Sequence, residues 1–274
     1  MKRCLVVLLS LCLLASLAAC GAPNRETDPS TEITVFAAAS LQESLDAAIE
    51  AYQTVAPEVS VVASYDSSGT LKTQIQEGAP CDLFISAAPR QMDALDGALK
   101  IDTAKNPDEL DFVVPGSRID LLENKVVLAV PDGNPAGIER FDQLADRLKD
   151  GSILLAVGNS DVPVGQYTQK IFTYCGIDEA AVSACLTYGS NAREVTTQIS
   201  EAVVDCGIIY GTDAHSAGLT VVDSASAEMC GQVLYPAAVM NSGSRPEAAQ
   251  AFLDYLSTDT AKAFFESVGF TPLT

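Results

Sequence analysis

The chain has few of the residues that hydrolytic and zinc-dependent enzymes use. It contains a single histidine, His215, and neither a Gly-x-Ser-x-Gly sequence nor a Cys-x-x-Cys pair. A hydrolytic triad needs a histidine beside its nucleophile, and a zinc site needs several cysteine or histidine ligands. The composition therefore favours a protein that is not an enzyme and that uses no cofactor.

Basic residues are also scarce, with 16 Lys and Arg against 36 Asp and Glu and a formal net charge of −20. Nucleic acids bind to clusters of Lys and Arg, so this balance excludes a nucleic-acid partner. It does not exclude a small anion. Exposed charges are screened beyond about 8 Å at physiological salt, whereas the dipoles of a closed cleft act at contact distance.

The sequence has only one long apolar run, at residues 5–17, and two basic residues precede it. A transmembrane helix needs about 20 apolar residues, so this run is typical of a signal peptide. It ends in Leu17-Ala-Ala-Cys20-Gly21, the pattern of a lipoprotein cleavage site. We predict a lipoprotein signal peptide at 1–19, a tether at 20–32, and an exported protein anchored to the membrane only by lipid on Cys20. An ordinary secretory signal with a chance cysteine is the alternative.

Five cysteines remain in the predicted mature body, which is an odd number, so at least one thiol stays unpaired in a monomer. They are Cys81, Cys175, Cys185, Cys206 and Cys230. Export permits disulfides, and Cys175–Cys185 or Cys206–Cys230 are the candidate pairs. The default interpretation is five small buried thiols.

Short apolar runs alternate with helical patterns along the rest of the chain. The runs, which predict strands, lie at 33–39, 59–65, 82–87, 125–130, 153–157 and 206–210. The helical patterns lie at 41–52, 71–76, 166–174, 193–203 and 246–265. This alternation predicts an α/β fold with a largely parallel sheet, arranged as two lobes without sequence repetition.

Small and polar residues lie where the predicted strands turn into helices. These junctions are Ser40, Ser68-Gly69, Val164-Gly165 and Ser190-Asn191-Ala192. Ligands of α/β folds bind at the carboxyl ends of strands, and helix N-termini attract anions through free N–H groups and the helix dipole. The occurrence of all four junctions in one chain predicts an oxyanion-binding site formed without basic side chains. Any one of these serines alone is as well explained as an ordinary N-cap.

Several segments carry a family resemblance in addition to this chemistry. Two are Ile33-Thr-Val-Phe-Ala-Ala-Ala-Ser40-Leu41 and Ser67-Ser-Gly-Thr-Leu71, followed by Gly78-Ala-Pro-Cys-Asp-Leu-Phe-Ile-Ser-Ala87. Val162-Pro-Val-Gly-Gln-Tyr167 and Gly207-Ile-Ile-Tyr-Gly-Thr-Asp-Ala214 follow in the same order. From Ile33 onward the chain resembles the molybdate-binding proteins of bacterial molybdate ABC transporters.

This resemblance implies a type II periplasmic-binding-protein fold, in which two α/β lobes close over one oxyanion. We place lobe 1 at 33–122 and 235–274, and lobe 2 at 123–234. The implied ligand is molybdate or tungstate, and the implied partners are a membrane permease and its ATPase, served by a monomer. The implied donors are the hydroxyl and N–H groups of Ser40 and Ser68, the N–H groups of Val164 and Ala192, and the hydroxyl of Tyr210.

Three alternatives stay open at this point. Another tetrahedral oxyanion, such as sulfate, thiosulfate or phosphate, is the first. The second is a serine hydrolase with Ser40 or Ser68 as nucleophile, although neither has an identifiable base, and the third is a structural lipoprotein. A protonated oxyanion would also need an acceptor, for which Asp66 and Asp161 are the candidates, although loop aspartates more often cap helices or face solvent.

Overall fold

The structure, a computed structural model, describes residues 31–274. The predicted signal peptide, Cys20 and all but the last two residues of the predicted tether lie outside the described residues. Within 31–274 no helix combines the length and the apolar character needed to cross a membrane.

Two β-sheets form the centres of two lobes. The first sheet has six strands, which are β1 (Thr31–Ala38), β2 (Val59–Asp66), β3 (Leu83–Ile85), β4 (Ile119–Asn124), β10 (Val233–Val239) and β11 (Thr271–Pro272). Their spatial order is β11-β4-β10-β3-β1-β2. We call this sheet with its helices lobe 1.

The second sheet has five strands, which are β5 (Val126–Val130), β6 (Leu155–Gly158), β7 (Leu186–Gly189), β8 (Cys206–Tyr210) and β9 (Thr220–Ser224). Their spatial order is β7-β6-β8-β5-β9. We call this sheet with its helices lobe 2. The chain passes between the sheets at Lys125 and again between Ser224 and Val233. These crossings lie near the lobe boundaries expected from the sequence, which remain a prediction.

The α/β class is confirmed, but the expectation of a largely parallel sheet is wrong. In lobe 1, β1 pairs parallel with β2 and β3, whereas β10 runs antiparallel to β3 and β4. In lobe 2, β6 pairs parallel with β7 and β8, whereas β5 runs antiparallel to β8 and β9. The strands β5 and β10 carry the chain between lobes. They are not reached through the helical crossovers that join parallel neighbours within a sheet.

Within residues 31–274, ten α-helices surround the sheets. They are α1 (Gln42–Val55), α2 (Ser68–Gln76), α3 (Pro89–Asp93), α4 (Leu144–Lys149), α5 (Pro163–Tyr174), α6 (Ala192–Ser200), α7 (Gly211–Ser216), α8 (Ala227–Cys230), α9 (Pro246–Leu256) and α10 (Asp259–Ser267). The single helix predicted at 246–265 is wrong. Thr258 divides it, because its hydroxyl accepts the Ala261 N–H at 3.4 Å and so begins a new helix.

The apolar faces of these helices form the core of each lobe. In lobe 1, Leu41 and Leu45 are fully buried beside Ile33 and Val35 of β1, as the spacing of apolar residues predicts. Tyr52 of α1 packs on Phe252 of α9 with ring centroids 4.9 Å apart. This packing holds α1 against the sheet, and so fixes the turn between β1 and α1 at the edge that faces lobe 2.

The five cysteines of the described residues are all free thiols. Neither of the two candidate disulfides is present in the structure. Cys81, Cys206 and Cys230 are buried, and Cys175 and Cys185 are half-buried. The default interpretation from the sequence, five small buried thiols, is confirmed for these three and wrong for the two half-buried ones.

Candidate functional site

Ser40 lies in a single 3₁₀ turn, Ala39–Leu41, between β1 and α1. This turn carries the chain from the end of β1 at Ala38 to the start of α1 at Gln42. The Ser40 Oγ lies 3.0 Å from the Tyr235 Oη, and the residue is half-buried. The hydroxyl is thus held at the carboxyl end of β1, where α/β folds bind ligands.

Ser68 is the first residue of α2 and is fully buried. Its Oγ accepts a hydrogen bond from the Ala87 N–H at 2.9 Å, which occupies one side of the hydroxyl and leaves its hydrogen to donate. The interpretation of Ser68 as an ordinary N-cap is wrong. Ser67 is the N-cap, since its Oγ accepts the Thr70 N–H at 3.1 Å.

Tyr210 is the last residue of β8 in lobe 2, and it is buried. Its hydroxyl donates across to lobe 1, to the Ala87 carbonyl oxygen at 3.4 Å. Ala87 therefore binds Ser68 through its N–H and Tyr210 through its C=O. Burial raises the pKa of Tyr210 well above its ordinary value, so the phenol is a neutral donor.

Tyr235 and Asn124 complete this polar network, and sequence reasoning missed both. The Tyr235 Oη accepts from the Asn124 Nδ2 at 3.2 Å, and the same amide donates to the Thr212 Oγ1 at 2.9 Å. Both residues are buried at the places where the chain crosses between lobes. A polar side chain inside the apolar run of β10 was the available signal.

The two predicted backbone donors of lobe 2 lie at the starts of helices. Val164 is the second residue of α5, and Ala192 is the first residue of α6. N–H groups in the first turn of a helix have no partner within the helix. The cap of α6 serves a later residue, because the Asn191 side chain accepts the Glu194 N–H at 3.0 Å. The Ala192 N–H is left free by that cap.

A glycine sets the position of the Val164 N–H. A Cβ on Gly165 would lie closer than 3.0 Å to the carbonyl oxygens of Asn159 and Gly158, which real Cβ atoms essentially never do. The absence of a side chain lets α5 begin directly against the end of β6. Its first N–H groups consequently lie at the carboxyl edge of the second sheet.

The structure brings the predicted donors together from both lobes. Ser40, Ser68 and Tyr210 belong to one network of contacts through Tyr235 and Ala87. The start of α6 packs against the Ser40 turn, where the Arg193 guanidinium donates to the Gln42 Oε1. From α5, the ring of Tyr167 lies edge-on to that of Tyr210, with centroids 6.4 Å apart.

The two acidic candidates do not join this network. The Asp66 carboxylate accepts the Ser67 N–H at 2.6 Å and so supports the start of α2. Asp161 lies in an exposed turn and donates its N–H to the Asn159 Oδ1 at 2.9 Å. His215 is also exposed and lies in the last turn of α7.

One carboxyl group that sequence reasoning did not single out lies close to the site. Asp213 lines a cleft of about 300 Å³ between the lobes, together with Ser40, Gln42 and Arg193. Its Oδ2 is buried and has no hydrogen-bond partner among residues 31–274. Burial raises the pKa of Asp213 to about 7, although the Tyr210 N–H and Arg193 act in the opposite direction.

The arrangement combines neutral hydroxyl groups at the carboxyl edge of the first sheet with helix starts of lobe 2. Hydroxyl and N–H groups have hydrogens to give and no charge to neutralise, so they suit a small anion that needs no proton acceptor. Across 31–274 no group of three or more His, Cys, Asp or Glu side chains is arranged to hold a metal ion.

Comparison with known proteins finds similar solute-binding proteins. A profile of the family described as "Bacterial extracellular solute-binding protein" matches residues 33–271. The molybdate-binding protein ModA of Escherichia coli is 33% identical over 246 residues, which cover 88% of this chain and 89% of that protein. YvgL of Bacillus subtilis, provisionally named an ABC transporter substrate-binding lipoprotein, is 30% identical over 258 residues, which cover 93% of this chain and 92% of that protein.

A solved structure extends the comparison to the fold. The periplasmic molybdate-binding protein of Azotobacter vinelandii aligns with a TM-score of 0.72 and 20% identity, covering 88% of this chain and 100% of that one. At this identity the likeness shows the fold alone. The relatives are solute-binding proteins of transporters and not enzymes, which excludes the serine hydrolase alternative.

Proposed function

This chain belongs to the family of bacterial extracellular solute-binding proteins, and from that premise we propose that it captures molybdate or tungstate outside the cytoplasm. It then delivers the anion, as a monomer, to the permease and ATPase of an ABC importer. The support comes from molybdate-binding relatives and from the neutral cradle between the lobes. In this proposal the ligand donors are Ser40, Ser68, Val164, Ala192 and Tyr210, and the Tyr210 hydroxyl turns its hydrogen from the Ala87 carbonyl oxygen to the anion.

The main support for the proposal is the hydrogen bonding of the Ser68 hydroxyl. This buried hydroxyl already accepts the Ala87 N–H, and so it has a hydrogen to donate towards the junction of the lobes. A buried donor without an acceptor costs about 1–3 kcal/mol. An oxyanion between the lobes provides that acceptor. It would also accept hydrogen bonds from the N–H groups of Val164 and Ala192, at the starts of α5 and α6 in lobe 2.

The number of donors suffices for tight binding. Hydrogen bonds to a charged group contribute about 1.5–3 kcal/mol each, and about half a dozen exceed the several kcal/mol that association requires. Hydroxyl and N–H groups supply this binding free energy without a positive charge opposite the anion. The overall acidity of the chain does not prevent it, because screened surface charges act weakly at the closed site.

The same donors favour a fully deprotonated dianion as the ligand. A protonated oxyanion needs a carboxylate or carbonyl to accept its hydrogen. Neither candidate aspartate joins the network, and burial raises the pKa of Asp213, the carboxyl beside it, to about 7, so this group holds its own proton in more acidic solution. Size then separates molybdate from sulfate, since donors held in a cage for the larger tetrahedron reach the smaller one poorly. Other tetrahedral oxyanions are the competing ligands.

Calorimetric titration of the anion-stripped protein with molybdate, tungstate, sulfate and phosphate tests the proposal. We expect tight binding of molybdate and tungstate and much weaker binding of the other two. Sulfate bound as tightly as molybdate would reassign the protein to another oxyanion. Absence of heat with all four anions, together with an unchanged melting temperature, would support a structural lipoprotein.

The membrane anchor is a separate part of the proposal. A lipid on Cys20 would hold the protein at the outer face of the membrane beside its permease, in keeping with the lipoprotein name of the Bacillus subtilis relative. Mass spectrometry of the mature N-terminus tests it. We expect an acylated Cys20 and release of the Cys20→Ser variant from membranes, whereas an unmodified N-terminus elsewhere would indicate an ordinary secretory signal.

A further inference from the structure

Gly69 of lobe 1 lies directly against the backbone of lobe 2. A Cβ built on Gly69 would lie closer than 3.0 Å to the Asp161 carbonyl oxygen, 3.2 Å from its carbonyl carbon and 3.5 Å from its Cβ. Real Cβ atoms essentially never come within 3.0 Å of such an atom. A backbone carbonyl cannot rotate away as a flexible side chain does, so only separation of the two segments relieves the overlap.

The conformation of Gly69 does not require glycine. It is the second residue of α2, and its φ is not positive, so every residue type can adopt its backbone angles. Glycine is in fact a poor helix former compared with alanine. The feature of Gly69 that no other residue can supply is the space for Asp161.

Both sides of this contact adjoin the proposed ligand donors. Gly69 follows Ser68, and Asp161 belongs to the turn that leads into Val164. The distance between the Gly69 and Asp161 backbones therefore controls how closely the donors of lobe 1 approach those of lobe 2. The contacts between Tyr210 and Ala87 and between Arg193 and Gln42 also join the lobes, but both are made by side chains and neither brings two backbones together.

We infer that Gly69 is a positioning residue that sets how closely the two lobes close over the anion. This inference rests on the proposed function, because closure matters only if the cradle holds a ligand. A side chain at residue 69 props the lobes apart on the side of Ser68 and Val164. If the donors of the two lobes cannot reach the anion at the same time, the anion dissociates faster. Its association rate stays the same, because it enters the open cleft.

The test compares the wild type with Gly69→Ala. Overpacking of a tight contact corresponds to a change of about tenfold to about a hundredfold in a dissociation constant. We expect a loss of molybdate affinity in that range, carried by the off-rate in stopped-flow measurements. Since alanine is the better helix former, the melting temperature without anion should stay unchanged or rise by up to about 4 °C. A merely structural role would lower it.

Gly211→Ala is the matched control. Gly211 also lies in the first turn of a helix, but a Cβ there would be 3.6 Å from the Val127 Cγ1 and 3.8 Å from the Lys125 carbonyl oxygen, which are ordinary contacts. We expect this control to keep the wild-type off-rate. Gly69→Ser, with the same Cβ, should reproduce the faster release, and small-angle scattering should show less compaction by molybdate than in the wild type.

The outcomes distinguish the proposed function from the proposed role of Gly69. A wild type that binds none of the tetrahedral anions overturns the proposed function and this inference with it. A wild type that binds molybdate, beside a Gly69→Ala variant with an unchanged off-rate, overturns the inference alone. A lower anion-free melting temperature in Gly69→Ala also overturns it, because the substitution then acts on the fold.

Discussion

The two lobes supply donors of different kinds to the proposed cradle. Lobe 1 offers the side-chain hydroxyls of Ser40 and Ser68, each held by a second residue, Tyr235 or Ala87. Lobe 2 offers mainly the backbone, through the N–H groups of Val164 and Ala192, and adds the hydroxyl of Tyr210. The donors of lobe 1 thus depend on which side chains are present. The backbone donors of lobe 2 depend on where its helices begin.

This difference decides which substitutions are informative. Removal of a serine hydroxyl deletes a donor of lobe 1, whereas changing the side chain of Val164 or Ala192 leaves the N–H in place. At these two residues only proline removes the N–H itself. Serine substitutions in lobe 1 and proline substitutions in lobe 2 therefore contrast the two lobes.

Ser68→Ala should have the largest effect, because it removes two interactions at once. Loss of a hydrogen bond to an anion weakens binding by about 1.5–3 kcal/mol, and the buried Ala87 N–H that loses its acceptor lowers the free energy of unfolding by about 1–3 kcal/mol. Calorimetric titration and urea denaturation measure the two parts.

The neighbouring serine is the control for this variant. Ser67→Ala removes the N-cap of α2 and should lower the free energy of unfolding by about 0.5–2 kcal/mol while molybdate affinity stays the same. Equal losses of affinity in the two variants would show that only the helix start matters. That result would remove the distinction between a capping serine and a binding serine.

Ala192→Pro should be the next largest and is specific to lobe 2. Proline is favoured at the first position of a helix, and Asn191 before it is already extended, with φ −156° and ψ 169°. The fold should therefore be kept while one N–H disappears. We expect molybdate binding to weaken by about 1.5–3 kcal/mol in calorimetric titration. The control Ala192→Gly keeps the N–H, so a similar loss there would contradict a backbone donor.

Ser40→Ala should weaken molybdate binding by about 1–3 kcal/mol through one lost hydroxyl. Tyr235→Phe should have a smaller effect, about 0.5–1.5 kcal/mol, because Tyr235 positions Ser40 and does not bind the anion. Titration of both single variants and the double variant gives their coupling. Fully additive losses would show that the Ser40–Tyr235 contact does not orient the donor.

The smallest effect on affinity should come from pH, through Asp213. Because burial raises its pKa from 3.8 to about 7, the folded protein holds this proton more tightly than the unfolded chain does. Stability should therefore fall as the pH rises from about 4 to about 7. The ionised carboxylate also repels a dianion, so molybdate affinity should decline as the pH passes through about 7.

Asp213→Asn should remove both trends, measured by thermal unfolding and by titration at a series of pH values. Asp132→Asn, which changes an exposed carboxylate, is the control and should keep the wild-type profile. If Asp213→Asn retains the pH dependence of the wild type, the titrating group lies elsewhere.

Much of the fold was predictable because its causes are local. The six predicted strands all appear, as do the starts of α1, α5 and α6 within three residues. Apolar periodicity and capping residues act over a few positions, so a window of sequence contains them. The strands that were missed include β4 and β9, which are partly exposed or mix polar with apolar residues.

The site was predictable to a lesser extent, for the same physical reason. Ser40 and Ser68 were visible because each stands beside its own helix start. Tyr235 contacts Ser40 across 195 residues of chain and Asn124 across 111, so no local pattern could connect them. The choice between Ser67 and Ser68 as the cap of α2 depended on Ala87, which reaches Ser68 only through the register of the sheet.

The sequence by itself determined an acidic α/β protein with neutral donors at the junctions of strands and helices, because composition, periodicity and capping are properties of short segments. Only the tertiary structure decided that β5 and β10 run antiparallel to their neighbours, that Ser68 binds Ala87 instead of capping α2, and that Gly69 lies against Asp161. Each of those facts depends on segments far apart in the chain, whose approach is set by sheet register and by the closure of the lobes.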